Sequence, residues 1–460
     1  MIMKALDLGS SKIFGSVLRL ALPAMTAQFI NVLYGIVDRM FVGNIEGIGD
    51  LALAGVGVCA PIATLIASFG NWVGLGGAPL FAMLLGENKP ERAKKILSNA
   101  VLILIVMSVL ITTAVVLLAV KPLIFTFGGS DRIYPYAYRY LVVYAAGSVF
   151  GVMTIGLNQF VIAQGYSGLG MLSVCLGTVT NLILDPILIF TCDMGVTGAA
   201  VATVIAQAAS LAFIVLVLIS KRTKVRISYG GYSTKTIGKI LGLGVSPFLI
   251  VATDSLVIIA LNIVLQQTGG ASGDFWITVA TIVQAFMSLI TLPMLGISTG
   301  TQPVISFNYG ARNTRLIRKA ETFILSLCVG YTALMLLVSF VLARPFVGLF
   351  TSDPTIAMQA IEGIRVYMIG IIPLAFQYAF VDCLTALGQP RYAIALSMTR
   401  KMGVMLSCTI ALPMILGAKA AFYAEPIADI VSAIITTCVF LLSFQKILKK
   451  RESAGDIVVG

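Results

Sequence analysis

Apolar residues run through this chain in long stretches, and polar residues gather at the breaks between them. Val101 to Val120 and Thr322 to Ala343 contain no charged residue, and Leu211 to Ser220 is equally apolar. Runs of this kind approach the roughly 20 residues that a helix needs to cross a bilayer. The pattern predicts twelve spanning helices, at about 13–43, 48–78, 93–120, 134–158, 169–190, 196–220, 236–267, 274–308, 315–343, 357–386, 391–413 and 418–446.

The punctuation of these helices repeats. Slid by 224 positions, Pro23 falls on Pro247 and Asp38 on Asn262, while Pro79, Gly86 and Lys95 fall on Pro303, Gly310 and Lys319. A shift of 223 brings Pro122 onto Pro345, Gly147 onto Gly370 and Ala163-Gln164-Gly165 onto Ala386-Leu387-Gly388. The chain is a tandem duplication of a six-helix unit. Six spans return it to its starting side, so the two units are parallel repeats. The first occupies residues 1–225 and the second 226–460. A polar, Gly-containing segment at about 221–239 reads as a hinge strap between them. The prolines inside spans, among them Pro23, Pro61, Pro79, Pro247, Pro293 and Pro303, each remove a backbone donor and predict bent helices.

Only 11% of the residues are charged, against about 25% in soluble domains. Such a surface would aggregate in water, so the fold class is an all-α integral membrane protein. The net charge of +12 could suit nucleic acid, but the basic residues lie on alternate connections. Lys4, Lys12 and Arg19 precede the first span, and Lys89, Arg92, Lys94 and Lys95 follow the second. Lys221, Arg222, Lys224, Arg226, Lys235 and Lys239 separate the units; Arg312, Arg315, Arg318 and Lys319 follow the eighth span. Arg391 follows the tenth, and Lys446, Lys449, Lys450 and Arg451 the last. This asymmetry predicts a multi-pass protein of the cytoplasmic membrane with both termini in the cytoplasm, and it accounts for the charge without nucleic acid. No phosphate-binding G-x-x-x-x-G-K-[ST] loop and no enzymatic constellation is present, so transport would be driven by an ion gradient. With no histidine, proton or cation handling falls to carboxylates. The seven cysteines are scattered without metal-ligand spacing and read as small core residues.

Charges inside spans mark candidate sites, since each costs at least about 2.5–3.5 kcal/mol at mid-bilayer. In the first half these are Asp38 and Arg39 in the first span and Asp185 in the fifth. Asn181 and Asp185, four apart, share a helix face. Joined by a carboxylate from another helix, they would form an oxygen pocket for Na⁺ or a shared proton. The second half holds Asp254, Asp382, Arg400, Lys401, Glu425 and Asp429. Two readings stand: a structural ion-pair cluster, or a substrate or second-ion site wherever an acid is left unpaired. Phe160, Phe286, Met287 and Met294 are candidates to line a cleft for flat lipophilic cations.

Within the duplicated unit, Pro23 with Val37-Asp38-Arg39-Met40-Phe41-Val42-Gly43 and Asn181-Leu182-Ile183-Leu184-Asp185-Pro186 resemble the multidrug and toxic compound extrusion (MATE) family. The resemblance runs from about residue 13 to 446. It implies two six-helix lobes around a central cleft, in a monomer that exchanges H⁺ or Na⁺ for small organic, mostly cationic lipophilic, compounds by alternating access. It further implies a cation site at Asp38, Asn181, Asp185 and Thr203, with Tyr140 and Asn158 completing a polar network. Na⁺ would sit at Asp38 and Asp185, Pro23 would be the bending point of the first helix, and no cofactor is implied. Some branches use acids of the seventh and tenth spans: Asp254 lies close to the first position, Asp382 about two turns past the second. The alternative function is a flippase for a lipid-linked or polyanionic substrate, which would show a basic cleft and commonly two extra helices; neither is evident. A channel would need a ring of selectivity groups, which proline-broken lobes fit poorly.

Overall fold

The structure, a computed structural model, describes residues 6–453 apart from 11, 47, 116–119, 128–130, 222 and 352. Lys4 and Arg222 of the basic pattern lie outside the described residues. The first repeat contains α1 (Ile13–Gly43), α2 (Gly49–Gly86), α3 (Pro90–Thr113), α4 (Val120–Thr126), α5 (Tyr134–Ala146), α6 (Ser148–Ala163), α7 (Ser167–Pro186) and α8 (Val196–Ile219). The second contains α9 (Thr234–Gly269), α10 (Gly273–Gly310), α11 (Thr314–Gly348), α12 (Pro354–Met368), α13 (Ile371–Ala386), α14 (Pro390–Met398), α15 (Ser407–Leu416) and α16 (Ala424–Ser453). A π-helical turn, Ile187–Thr191, extends α7, and another, Thr399–Leu406, joins α14 to α15.

Among the described residues, ten stretches are long and apolar enough to cross a membrane alone, and two bent pairs, α5 with α6 and α12 with α13, bring the spans to twelve. The bends of 52° and 48° fall next to Gly147 and Gly370, equivalent positions of the two repeats. The helices containing Pro23, Pro61, Pro79, Pro247, Pro293 and Pro303 run on through them as single α-helices. In a helix bundle, neighbouring groups re-satisfy the carbonyl that proline leaves free, so proline alone need not break a span. The third span is α-helical to Thr113 and π-helical at Ala114 and Val115; residues 116–119 lie outside the described residues, and the short α4 follows them.

The segment between the repeats is no free strap. Ser98 donates to Ser228 O at 2.5 Å, Asn99 Nδ2 to Gly231 O at 3.1 Å, and the Ser233 amide to Asn99 Oδ1 at 3.0 Å. These bonds lay residues 228–233 along α3, and Lys235 and Lys239 already belong to α9.

Two hydrophobic cores divide the molecule, one built from α2 to α8 and the other from α10 to α16. The main exceptions are the two repeat-equivalent helices α1 and α9, with Ile162 of α6 also in the second core. Ile13, Val17 and Leu20 of α1 sit in the second core and Val42 in the first; Ile240 of α9 sits in the first and Leu261 and Leu265 in the second. Each helix thus passes from one half to the other. Phe160, Phe286, Met287 and Met294 are buried in these cores and line no cleft, since in lipid tight side-chain packing rather than water exclusion holds helices together.

Where the halves meet, backbones touch. A Cβ on Gly86 would stand 1.9 Å from Phe307 O, and one on Gly310 would stand 1.9 Å from Met83 O. These are the same contact seen from either repeat, so α2 and α10 cross through a pair of equivalent glycines. Small residues permit this approach where no hydrophobic force between helices is available.

Candidate cation site in the N-terminal half

Three helices bring pairs of polar residues to one place in the first half. Tyr34 and Asp38 on α1, Asn181 and Asp185 on α7, and Thr203 and Gln207 on α8 are each four apart and share a helix face. Asp38 is 9% exposed and Asp185 fully buried, whereas Arg39 turns outward. The two carboxyls, from helices far apart in sequence, lie within hydrogen-bonding reach of each other. Asn181 Nδ2 donates to Asp185 Oδ1 at 3.2 Å and approaches Thr203 Oγ1 at 3.5 Å. The Thr203 hydroxyl donates to Ala199 O at 3.0 Å and also contacts the Tyr34 side chain. Tyr140, buried on α5, is within electrostatic reach of Asp38, and its ring stacks on Tyr144 with centroids 6.1 Å apart.

The unmet demand of this cluster is for positive charge. Asp38 Oδ1, Asp185 Oδ2 and Asn181 Oδ1 are all buried without a hydrogen-bond partner, and neither carboxylate has an ion pair among the described residues. Facing carboxylates in a low dielectric are costly as two anions. A proton turns one into a donor for the other, and Na⁺ can gather the unpartnered oxygens. Immediately after Asp185, α7 meets Pro186 and continues as the π turn Ile187–Thr191. Proline lacks the N–H that would bond the carbonyl four residues back, and the wider turn absorbs the mismatch.

Pro23 lies on the same helix as Asp38, where α1 leaves the second core for the first. Beside it, Ala24 packs into Gly296 and Gly300 of α10: Cβ atoms there would stand 2.8 Å from Ala24 O and 2.4 Å from Ala24 Cβ. Movement of α1 at this point therefore meets the second half directly. Asn158 lies elsewhere. Its Nδ2 faces Gly170 O at 3.4 Å, near the opposite end of α7 from Asp185.

In the second half, most of the candidate charges are paired. Arg400 Nε donates to Asp429 Oδ1 at 2.8 Å and its Nη2 lies 2.9 Å from Glu425 Oε1; its guanidinium lies over the Tyr378 ring at 5.8 Å. Lys401 pairs with Asp254. Arg400 and Lys401 are consecutive yet both buried, since the π turn Thr399–Leu406 sets successive side chains closer in direction than an α-turn does. Asp382 stands apart, accepting from Ser298 and from Gln302 Nε2 at 3.0 Å. Tyr34 and Gln207 join the first-half cluster though sequence reasoning passed over them; their spacing of four from Asp38 and Thr203 was the available signal.

The profile of the MatE family matches residues 23–187 and again 249–404, one stretch in each half of the chain. The multidrug export protein MepA of Staphylococcus haemolyticus (strain JCSC1435) is 25% identical over 436 residues, covering 94% of this chain and 93% of its own. MepA of Staphylococcus aureus (strain N315) is 26% identical over 385 residues, covering 83% and 84%. Among solved structures, an outward-facing multidrug resistance MATE family transporter of the MOP superfamily superposes with a TM-score of 0.87 over 95% of this chain and 97% of that one, at 24% identity.

Proposed function

Because this chain belongs to the MatE family of multi-pass membrane transporters, we propose that it is a multidrug exporter driven by inward movement of H⁺ or Na⁺ through the Asp38–Asp185 site. The observation that carries the coupling is the pair of facing carboxylates with three unpartnered oxygens around them. Cation arrival removes their repulsion and their demand for charge, and this changes the rest position of α1. Since α1 runs past Pro23 into the second core, the change reaches the contact between the halves. MepA of both staphylococci is a multidrug export protein; the cargo proposed here is small organic, mostly cationic lipophilic compounds, moved outward across the cytoplasmic membrane by alternating access. The basic connections support a topology with both termini in the cytoplasm. One elementary charge moving down 100 mV supplies about 2.3 kcal/mol for each turnover.

The test is efflux of a fluorescent lipophilic cation from proteoliposomes under an imposed pH or Na⁺ gradient, with Asp38→Asn beside the wild type. Efflux driven by one gradient and lost in a folded Asp38→Asn variant is expected, and the productive gradient names the ion. A folded variant that pumps at the wild-type rate would sink the proposal.

A further inference from the structure

We propose that Glu321 and Asp382 form a second proton-binding site, in the C-terminal half, at the joint between the two halves. Glu321 lies seven residues into α11, about 10 Å from its basic end by the helix rise. It is 4% exposed, and both of its carboxyl oxygens are buried with no N–H or O–H donor on them. Across from it on α13 stand Asp382, within electrostatic reach, and the thiol of Cys383, a weak donor within hydrogen-bonding reach. The further titratable group acting there is the Cys328 thiol of its own helix. No ion pair reaches Glu321 or Asp382 among the described residues. A carboxylate without a cation in such surroundings is costly, and a bound proton removes that cost.

The donor set selects a proton over a metal ion. Ser298 and Gln302 turn their hydrogens toward Asp382, so both of its oxygens already accept. Only the two oxygens of Glu321 stay free, too few to replace the shell of a hard cation. Half-buried Asp382 gives the proton a route. Its partner Gln302 lines the small cavity between the halves, together with Thr299 and Pro303 from one side and Leu75, Ala78 and Gln159 from the other.

The duplication argues against a purely structural role. Shifted by 223, Asp382 corresponds to Gln159; shifted by 224, Glu321 corresponds to Leu97, Ser298 to Gly74 and Gln302 to Ala78. Gly74 faces Gln159, with a Cβ there 2.9 Å from Gln159 Cγ, as Ser298 faces Asp382. The same frame thus closes in the first half without either acid, and Leu97 is fully buried there. Asp382 could pin α13 to α10 by its bonds, but Glu321 meets only the Cys383 thiol, a weak donor that holds little. Proton binding here stands whether or not Asp38 and Asp185 couple transport.

The test is infrared difference spectroscopy of the full-length protein in nanodiscs between low and high pH, read at the carbonyl stretch of protonated carboxylic acids. In an Asp38→Asn/Asp185→Asn background a titrating band is expected to persist, and Glu321→Gln added to that background is expected to remove it. A band unchanged by Glu321→Gln, or absent from the background protein, would overturn the proposal. Should Glu321→Gln not elute as a folded species, Glu321→Leu, which installs the residue of the first repeat, and Asp382→Asn carry the same reading.

Discussion

Buried charge in this molecule divides by what surrounds it. Arg400 is met by Asp429, Glu425 and the Tyr378 ring, so its charge is compensated on every side. Removing one member of such a buried pair leaves a bare charge, at a cost of about 3–5 kcal/mol. Arg400→Met is therefore expected to lower the thermal unfolding midpoint sharply, which a fluorescence melt in detergent would show; an unchanged midpoint would mean the cluster holds nothing together. Asp185→Asn should behave in the opposite way, with an unchanged or raised midpoint and no coupled efflux, because it relieves a repulsion instead of exposing a charge. The same division decides what could be read from sequence. Asp38, Asn181 and Asp185 stood out because a charge in a long apolar run has few explanations. Glu321 did not, because it lies two residues past Lys319, where the chain still reads as a solvated basic connection. Its inward aim is marked by the buried Ile317 four positions before it and by Ile324 and Cys328 three and seven positions on.

At the scale of elements, α1 is the part that links site to lobe contact. Its first turns are packed in the second core, its last in the first, and Pro23 leaves one carbonyl without an α-helical partner between them. Pro23→Ala restores that bond and stiffens the joint. The expected result is a folded protein whose coupled efflux falls severalfold while binding of a fluorescent substrate, read by anisotropy, is retained; equal loss of both would place Pro23 in packing alone. The strap between the repeats makes a separate prediction. Asn99→Ala removes bonds to Gly231 and Ser233, each worth about 0.5–1.5 kcal/mol. Limited proteolysis is then expected to cut around 228–233 faster than in the wild type. Twelve spans and their duplication were legible because apolar runs and recurring Pro and Gly are local facts. The bends were not: the prolines drew attention, yet the sharp turns fall by Gly147 and Gly370, where the helix partners decide the path. The tie between the strap and α3 was equally hidden, since Ser98 and Asn99 read simply as polar residues at a helix end.

On the scale of the whole molecule, the halves are held at one end by a nearly symmetric joint. Gly86 meets Phe307 and Gly310 meets Met83, and around this crossing lie further links between the repeats. Arg451 of α16 pairs with Glu87 just past α2, and also donates to Tyr309 O at 2.9 Å and Gly310 O at 3.0 Å. Asn308 Nδ2 donates to Leu8 O at 2.8 Å. All of these sit at the basic ends of the helices, the side that the proposed topology places in the cytoplasm. An exporter must part this joint to load its cargo, so the strength of the joint sets how often the cytoplasmic side opens. Glu87→Gln keeps the size and hydrogen-bonding capacity of the side chain but removes its charge, leaving Arg451 its two carbonyl bonds. The joint should weaken without the fold being lost. In a cysteine-free background carrying Ala78→Cys, whose position lines the cavity between the halves, a membrane-impermeant thiol reagent added from the basic side is expected to label faster once Glu87→Gln is introduced. Adding a lipophilic cation should then slow labelling by occupying the opened cleft. Labelling at the wild-type rate would show that the glycine crossing alone keeps this side closed, and that the Glu87–Arg451 pair follows the motion instead of governing it.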